Sequence, residues 1–273
     1  MSEVQTSSTS ESWAQFKTGA YRQKSAIWAL VFKEFRLKLG QSRIGLFWAL
    51  VEPIFSMMTI ASIWHVNGVH TMQGTDVYLF IGSGFIVFIT VRQGISYIPQ
   101  AIDANKALMN YPQVKPIDTL LARFIQGMWF HALASVLMLV GLWWFIDAVP
   151  TFPDPLLSLT AIFVAMLLAM GISLPLAVFG TINNNVLKFI GIVSQPLMIL
   201  SGVMFSIADL PATARSILQW NPIVHLVAAF RHGSFGSKLF PEYNLLYPIM
   251  FGAICLGFGY ALYYIYRFRL IQQ

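Results

Sequence analysis

The chain has 273 residues, of which 57% are hydrophobic and only 10% are charged, and its formal net charge is +6. Soluble domains carry roughly 25% charged residues, so this composition excludes a soluble globule and indicates a membrane protein. The positive charge is concentrated at the N-terminus and in a few loops, as membrane topology requires, so it is no reason to expect a nucleic-acid partner.

The first part of the chain is polar and then amphipathic. Residues 1–24 are expected to be disordered, and no apolar core of a cleavable signal peptide follows their start. In residues 25–43, basic side chains fall largely between apolar ones at helical spacing, which are Trp28, Val31, Phe32, Phe35 and Leu39. A second row mixes apolar and charged residues, namely Ile27, Leu30, Val31, Glu34 and Lys38. The pattern predicts an amphipathic interfacial helix on the inner leaflet; a cytoplasmic helix packed on a partner protein is the alternative.

Six later segments are candidate membrane spans, because a span needs about 20 mostly apolar residues. Their predicted bounds are 44–66, 77–98, 119–146, 156–180, 189–206 and 244–266. Lys and Arg precede the first span and recur in the loops after the second and fourth spans and in the C-terminal tail, whereas 67–76 and 147–155 contain neither. By the positive-inside rule, both termini are predicted to be cytoplasmic.

Residues 207–243, between the fifth and sixth spans, contain two short helical segments that are each opened by a proline and are too short to span. We interpret them as a hairpin that re-enters the outer leaflet, where its backbone must be buried in protein or line a wet cavity; an amphipathic surface loop is the alternative. The predicted fold class is therefore an all-α polytopic membrane protein. Residues 44–273 form its six-helix domain, with the interfacial helix before it and the re-entrant hairpin within it.

The sequence argues against catalysis and nucleotide binding by this chain. It contains no zinc-peptidase or serine-hydrolase motif, and its five histidines do not cluster at metal-ligand spacing. Gly40 and Gly45 fit half of a P-loop, but Leu46 and Phe47 replace its lysine and its serine or threonine. No catalytic residue, metal or cofactor is predicted here, and an ATP-driven role requires a second protein.

Three sequence blocks carry a resemblance to a known family. They are KEFRLKLGQSRIGLFWALVEP at 33–53, NYPQVKPIDTLLAR at 110–123, and the stretch from SGVMFS to WNPIVH between 201 and 225. Together they resemble the transmembrane subunit of ATP-binding-cassette exporters of cell-surface polysaccharides. VKPIDT and WNPIVH most resemble the capsular-polysaccharide branch, and the resemblance extends over the chain from about residue 25.

The resemblance implies a homodimer that binds two copies of a nucleotide-binding subunit, on which ATP and Mg are bound. It implies export of a lipid-linked acidic polysaccharide across the bacterial inner membrane, between the two permease halves, together with periplasmic and outer-membrane export components. The carrier lipid would enter from the inner leaflet through a lateral opening. Exporters of O-antigen or teichoic acid are close alternatives. A secondary transporter is disfavoured because we find no internal repeat, and an intramembrane transferase because no set of acid, base and nucleophile converges.

The loop 99–118 is the predicted coupling element between the membrane domain and the ATPase. Residues 101–108 can form two helical turns with one polar side, and Pro112 and Pro116 stiffen the return. Such a short rigid helix can dock in a cleft of a soluble partner, which the resemblance identifies as the ATPase; an ordinary connecting loop is the alternative. The predicted contact residues are Ile102, Asp103, Ala104, Asn105 and Lys106.

Glu52 and Pro53 interrupt the first span. Glu52 lies roughly 12 Å into the helix, where a lipid-facing carboxylate costs about 2.5–3.5 kcal/mol, and Pro53 bends the helix. We therefore expect this span to line the translocation path, with Glu52 hydrated or partnered by Arg92 or Lys188; a buried structural pair is the alternative. Arg92 either contacts an oxyanion of the substrate or extends to the cytoplasmic interface.

Further path and exit residues are predicted from their side-chain chemistry. Aromatic rings pack on the C–H faces of sugars and tolerate a sliding chain, and methionines can form an adaptable opposite wall. The predicted path residues are Phe47, Trp48, Glu52, Phe55, Arg92, Met198, Met204 and Phe205. In the outer hairpin, Arg215, His225, Arg231 and His232 are predicted to contact phosphate or acidic sugar at the exit, with surface solvation as the alternative.

Overall fold

The computed structural model describes residues 3–40, 43–111, 113–236 and 243–272. Within these ranges the chain forms helices and one small antiparallel ribbon, in which β1 (Thr71–Met72) pairs with β2 (Thr75–Asp76). The helices are α1 (Glu3–Gly40), α2 (Arg43–Val66), α3 (Val77–Arg92), α4 (Ala101–Ala104), α5 (Pro116–Ile146), α6 (Pro155–Ile182), α7 (Asn184–Leu200), α8 (Ala212–Leu218), α9 (Pro222–Phe235) and α10 (Leu246–Gln272).

Four helical rods in the described ranges are long and apolar enough to cross a membrane. They are Val77–Ala104, Pro116–Ile146, Pro155–Ile182 and Leu246–Arg267. The apolar parts of α2 and α7, Leu50–Val66 and Asn185–Leu200, are shorter. The predicted all-α membrane architecture is confirmed at this level, and the assignment of six spans stays a prediction.

Helix α1 differs from the prediction in its length. Residues up to 24 are predicted to be disordered, whereas α1 runs from Glu3 to Gly40. The segment 3–24 contains no proline and only one glycine, so no residue in it breaks a helix.

The packing face of α1 is the mixed row rather than the purely apolar one. Leu30, Val31 and Glu34 are buried, whereas Trp28 and Phe32 are 48% and 63% exposed. Burial of this row places α1 against α5. The apolar face that remains uncovered is free to contact lipid or a partner.

Helix α3 is central in the bundle. Most of its residues between Val77 and Val91 are buried, and it packs against α2, α5, α6 and α9. Its end is irregular, because a π-helical segment, Gln93–Tyr97, follows Arg92. The main chain of α6 lies so close there that a Cβ on Gly94 would overlap Ala169. Such π segments within helices are frequent at functional sites.

The two predicted short helices of the outer hairpin are present as α8 and α9, with Pro222 opening α9. Helix α8 has no buried residue, but α9 is buried along most of its length and packs against α3 and α6. Burial of α9 does not support the surface-loop alternative for this part. Residues 237–242 of the predicted hairpin lie outside the described ranges.

Candidate functional site

A cavity of about 810 Å³ lies between α2, the π-helical end of α3 and α7, with α1 contributing one residue. Its wall mixes polar groups with aromatic and aliphatic ones. The polar lining residues are Lys38, Glu52, Ser56, Thr59, Arg92, Gln93, Ser96, Tyr97 and Gln195. A wall of this composition can hold water or a polar solute inside an otherwise apolar bundle.

The cavity brings together four of the predicted path residues, which are Glu52, Phe55, Arg92 and Met198. The other four do not line it. Phe47 and Trp48 lie near the start of α2, where they are 59% and 57% exposed. Met204 and Phe205 follow the end of α7 at Leu200, so they fall in an irregular segment beyond the cavity wall.

One face of α2 is left uncovered by the rest of the chain. Glu52, Phe55, Thr59 and Ile63 are exposed and recur every three or four residues, so they share that face. The opposite face is buried at Met57. The face therefore combines a carboxylate, a hydroxyl and an aromatic ring, which is a costly surface to present to lipid.

Glu52 and Arg92 line the same cavity without pairing. Glu52 is exposed and Arg92 is half-buried. Within the described ranges, neither forms an ion pair at 4 Å or less, and Lys188 does not line the cavity. In the described part of the chain, neither predicted partner, Arg92 or Lys188, is therefore paired with Glu52, whose carboxylate lines the cavity.

Lys38 of α1 reaches the cavity and was not among the sequence-predicted path residues. Its Nζ lies 4.8 Å from the ring centroid of Tyr97 and 4.6 Å from that of Phe130. Burial lowers the pKa of Lys38, and Arg123 lowers it further while Glu34 acts in the opposite direction. The signal in the sequence was its place four residues after Glu34 on the mixed face of α1.

A buried polar cluster joins three elements at the end of the bundle that carries residues 99–118, the predicted coupling loop. We call Glu34, Asn105 and Arg123 the buried cluster. Arg123 Nε lies 3.4 Å from Glu34 Oε2, and Asn105 Nδ2 donates to Glu34 Oε1 at 2.9 Å. Lys33 adds a hydrogen bond to Asn105 and lies 3.8 Å from Glu34. The side chains of Glu34 and Arg123 are only 4% and 10% exposed, so the pair is well shielded from water.

A second contact ties α1 to the start of α5. Asp118 is fully buried and accepts a hydrogen bond at 3.0 Å from the Lys115 backbone N–H, which closes the first turn of α5. Its other oxygen accepts a 3.0 Å hydrogen bond from Gln23 Nε2. Together with the buried cluster, this contact fixes α1 against α5 and the coupling loop.

The five predicted coupling residues divide into two groups. Asp103, Ala104 and Lys106 are exposed and could meet a partner. Ile102 and Asn105 are 1% and 2% exposed, so they anchor the segment instead of forming its outer surface. Sequence periodicity alone could not separate the groups, because the short α4 helix is followed by a 3-10 segment.

Arg231 is buried and does not reach an exit surface. The prediction that it contacts the polymer there is therefore corrected. The residue is 4% exposed. Its guanidinium donates to the carbonyls of Gly202, Phe80 and Val203 at 2.9, 3.1 and 2.8 Å, and Nε donates to Ser83 Oγ at 3.3 Å. Because α7 has ended at Leu200, the carbonyls that follow need donors, and Arg231 supplies them from α9.

The other three predicted exit residues are held in separate places. His225 is 9% exposed, with Nε2 2.9 Å from the Gln219 carbonyl and Nδ1 3.3 Å from the Asn244 N–H. Arg215 donates to the carbonyls of Ala208 and Leu210. His232 packs its ring on Tyr243, with the ring centroids 5.1 Å apart. The four residues therefore do not converge on one site.

Comparison with known proteins places this chain in a family. The family model described as ABC-2 type transporter matches residues 25–235. The chain belongs to the ABC-2 type transporter family. The match includes α2 to α9 and the part of α1 from residue 25 onward, so all residues of the cavity lining and of the buried cluster lie within the matched segment.

Curated relatives of this ABC-2 type transporter chain span nearly its whole length. Polysialic acid transport protein KpsM of Escherichia coli is 29% identical over 249 residues, which are 90% of this chain and 95% of KpsM. Capsule polysaccharide export inner-membrane protein BexB of Haemophilus influenzae is 28% identical over 224 residues, covering 82% of this chain and 84% of BexB. CtrC of Neisseria meningitidis, with the same description, is 25% identical over 239 residues, covering 88% of this chain and 90% of CtrC.

Proposed function

We propose that this chain is the permease subunit of an ATP-binding-cassette exporter that moves lipid-linked, acidic capsular polysaccharide across the bacterial inner membrane. The similarity to relatives described as capsule polysaccharide export proteins, over 82–90% of the chain, carries the proposal. A separate subunit binds ATP and Mg and hydrolyses ATP, since this sequence has no complete P-loop. This chain supplies the passage.

In the proposed topology, α2, α3, α5, α6, α7 and α10 are the six spans, and both termini are cytoplasmic. The distribution of Lys and Arg among the loops supports this orientation. Helix α1 lies along the inner leaflet, for which its exposed Trp28 and Phe32 are suitable contacts. Helices α8 and α9 form the re-entrant hairpin on the outer side.

Two copies of the chain form the passage between them. The uncovered face of α2 supports this arrangement, because Glu52, Phe55 and Thr59 are exposed in one chain and would be shielded from lipid by a second. A polar and aromatic stripe suits a sliding glycan, whose hydroxyls need hydrogen-bond partners and whose C–H faces pack on rings. The 810 Å³ cavity is one half of that passage.

The ATPase docks on the exposed part of the coupling loop, at Asp103, Ala104 and Lys106. Support comes from the anchoring of the same loop, because Asn105 is bonded to Glu34 of α1 and Arg123 lies beside Glu34. A push on the loop is therefore passed to α1 and α5 together. Periplasmic and outer-membrane components then receive the polymer.

Exporters of O-antigen or teichoic acid remain the alternative within the same class, and the relatives described as capsule export proteins favour capsule over them. A secondary transporter would work without an ATPase. Capsule export is separated from export of O-antigen or teichoic acid by identifying the polymer that accumulates inside cells without this chain. The test for an associated ATPase supports or excludes a secondary transporter.

The test is co-purification of the chain from membranes of its own organism. We expect an associated protein with complete Walker motifs, in equal copy number, whose ATP hydrolysis rises when this chain is present. The D103K/K106E variant should lose that protein, whereas K24Q/R36Q, which changes two exposed cations of α1, should retain it. Purification of the intact chain with no ATPase under any mild condition would contradict the proposal.

A further inference from the structure

We propose that His65 and His70 bind a divalent transition metal such as Zn²⁺ through the Nδ1 atoms of both rings. The pair lies where α2 ends and the β1–β2 ribbon begins, and neither residue lines the cavity described above. In the proposed topology this is the outer side of the membrane. The inference goes beyond the proposed function and rests only on the two side chains and the backbone that carries them.

The end of α2 places the two histidines side by side, although their spacing in the sequence does not. Residues five apart on a continuous helix lie about 140° apart around its axis. Here α2 ends one residue after His65, and Gly68 follows with a φ of +86°. The Gly68 N–H donates to the His65 carbonyl at 3.0 Å, and the Val69 N–H donates to the Trp64 carbonyl at 3.1 Å. This hydrogen-bond pattern is a Schellman C-cap, and it brings His70 beside His65.

The ribbon holds the backbone of His70 in place. Its carbonyl accepts a 3.0 Å hydrogen bond from the Val77 N–H, directly before the first residue pair of the ribbon. The ring of His65 lies beside that of Tyr78, with the ring centroids 5.5 Å apart. Both histidines are therefore positioned before a ligand arrives, which reduces the conformational entropy lost on binding.

The distance between the two nitrogens matches a tetrahedral metal site. Zn²⁺ binds imidazole nitrogens at about 2.0–2.1 Å with tetrahedral angles, so two such nitrogens lie about 3.3–3.4 Å apart. His65 Nδ1 and His70 Nδ1 are 3.3 Å apart. This distance is long for a hydrogen bond, since N–H donors usually lie about 2.7–3.2 Å from their acceptors. The geometry therefore suits a shared metal better than a shared proton.

A rotation of one ring completes the site. The ring centroids are now 4.3 Å apart and the planes are inclined by 77°. Two rings that direct their Nδ1 lone pairs at one tetrahedral metal have centroids about 5 Å apart. His70 is exposed, and its ring makes no hydrogen bond to any described residue other than His65. Rotation of the His70 ring therefore breaks no other hydrogen bond in that part of the chain.

The ligand type selects the class of metal. Imidazole nitrogens favour Zn²⁺, Cu²⁺ and Ni²⁺, whereas Mg²⁺ and Ca²⁺ prefer oxygen ligands. The described residues contain no group of three or more His, Cys, Asp or Glu side chains that could hold a metal. Water therefore supplies the remaining ligands, and the metal should be bound more weakly than in structural zinc sites with four protein ligands.

A bound metal would fasten α2 to the ribbon. The ribbon turn is itself tied to the segment after α7, because Gln73 Nε2 donates to Asp209 Oδ1 at 2.8 Å. The metal would thus connect the end of α2 to that segment through the ribbon. A ligand that binds only the native chain raises its stability, so the site should be visible in thermal unfolding.

Calorimetric titration of the purified full-length chain with zinc chloride tests the proposal. The chain must carry no histidine tag, because such a tag binds the same metals. We expect one Zn²⁺ per chain and no binding of Mg²⁺. Affinity should fall by at least about tenfold in H65Q and in H70Q, because even the loss of an outer partner of a metal ligand costs about 10- to 100-fold. The control H232Q changes a histidine of α9 that packs on Tyr243, and it should bind Zn²⁺ as the unmodified chain does.

A cysteine variant separates the loss of a ligand from misfolding. H70C replaces an imidazole with a thiol, whose thiolate also binds Zn²⁺, so it should keep the binding that H70Q loses. Zinc should raise the unfolding temperature of the unmodified chain and of H232Q but not that of H65Q/H70Q. X-ray absorption at the zinc edge should show two imidazole nitrogens together with oxygen ligands.

The outcomes that overturn the proposal are distinct. No binding of Zn²⁺ to the unmodified chain, or equal binding to H65Q/H70Q, would leave only a hydrogen-bonded pair of histidines. One Zn²⁺ for every two chains would overturn the assignment of the site to a single chain. These titrations need neither the ATPase nor a glycan, so their result is independent of the co-purification test of the proposed function.

Discussion

The buried cluster and the cavity lie side by side and use similar residues in opposite ways. Tyr97 separates them, with Arg123 of the cluster 5.0 Å from its ring and Lys38 of the cavity 4.8 Å from it. In the cluster, Glu34 is bonded by Arg123 and Asn105. In the cavity, Glu52 and Arg92 face open space without an ion pair to any described residue.

The difference indicates which charges build the molecule and which serve transport. A buried charge that is fully paired links elements, and removal of one partner leaves the other uncompensated. An unpaired charge at a cavity wall adds little to folding but is available to a ligand. Substitutions in the two regions should therefore separate stability from transport.

The largest expected effect is at Arg231 of α9, a second buried charge whose guanidinium nitrogens all donate hydrogen bonds. The R231A variant should lose about 3–5 kcal/mol of stability, because the carbonyls of Gly202 and Val203 lose a buried charged donor. Thermal unfolding of the purified chain measures this, with R36A as an exposed control that should be unchanged. Stability equal to the unmodified chain would show that Arg231 is not a structural tie.

The next effect is expected at Glu34. In E34Q the hydrogen bond to Asn105 can be kept, but Arg123 loses its counter-charge, so about 2–3 kcal/mol should be lost. A double-mutant cycle with R123Q should give a non-additive result, since the second change removes the unpaired cation. Additive losses would contradict a coupled pair.

An effect of intermediate size is expected in the coupling loop. Among its five predicted contact residues, some substitutions should reduce export and others should reduce stability. D103K/K106E changes two exposed side chains, so stability should stay within about 0.5 kcal/mol while ATP-driven export falls strongly. The N105A variant of the same loop should instead lose stability, because it removes the contact with Glu34. Full export by a membrane-inserted D103K/K106E chain would refute the coupling assignment.

The smallest effect on folding is expected in the cavity. E52Q and R92Q should each change the free energy of unfolding by no more than about 0.5 kcal/mol, because neither residue has an ion-pair partner to lose. Transport should nevertheless change in both. A loss of stability as large as in E34Q would show that Glu52 or Arg92 has a structural partner. It would contradict the distinction between the buried cluster and the cavity.

The sequence predicted those features that depend on local pattern. Hydropathy gave the membrane class, and two prolines located the short helices between α7 and α10. A carboxylate inside an apolar run pointed to Glu52, and the cavity brings it together with Arg92, Phe55 and Met198.

The features that the sequence did not reveal depend on distant contacts. Glu34 meets Arg123 across 89 residues, and no pattern within α1 distinguishes such a residue from a solvated charge. Arg231 was interpreted as an exit residue because an arginine in an outer segment is usually exposed, whereas its donors bind carbonyls from α3 and from the segment after α7. The start of α1 at Glu3 was not predicted either, because a polar segment without helix breakers is compatible with both disorder and a helix.

The most direct measurement of the central claim is glycolipid export in reconstituted vesicles. Vesicles would contain this chain with or without its co-purified ATPase, and the arrival of labelled lipid-linked glycan on the far side would be followed. The account predicts transport only when the ATPase and hydrolysable ATP are both present, with loss of transport in D103K/K106E. Equal transport by this chain alone, without nucleotide, would contradict it.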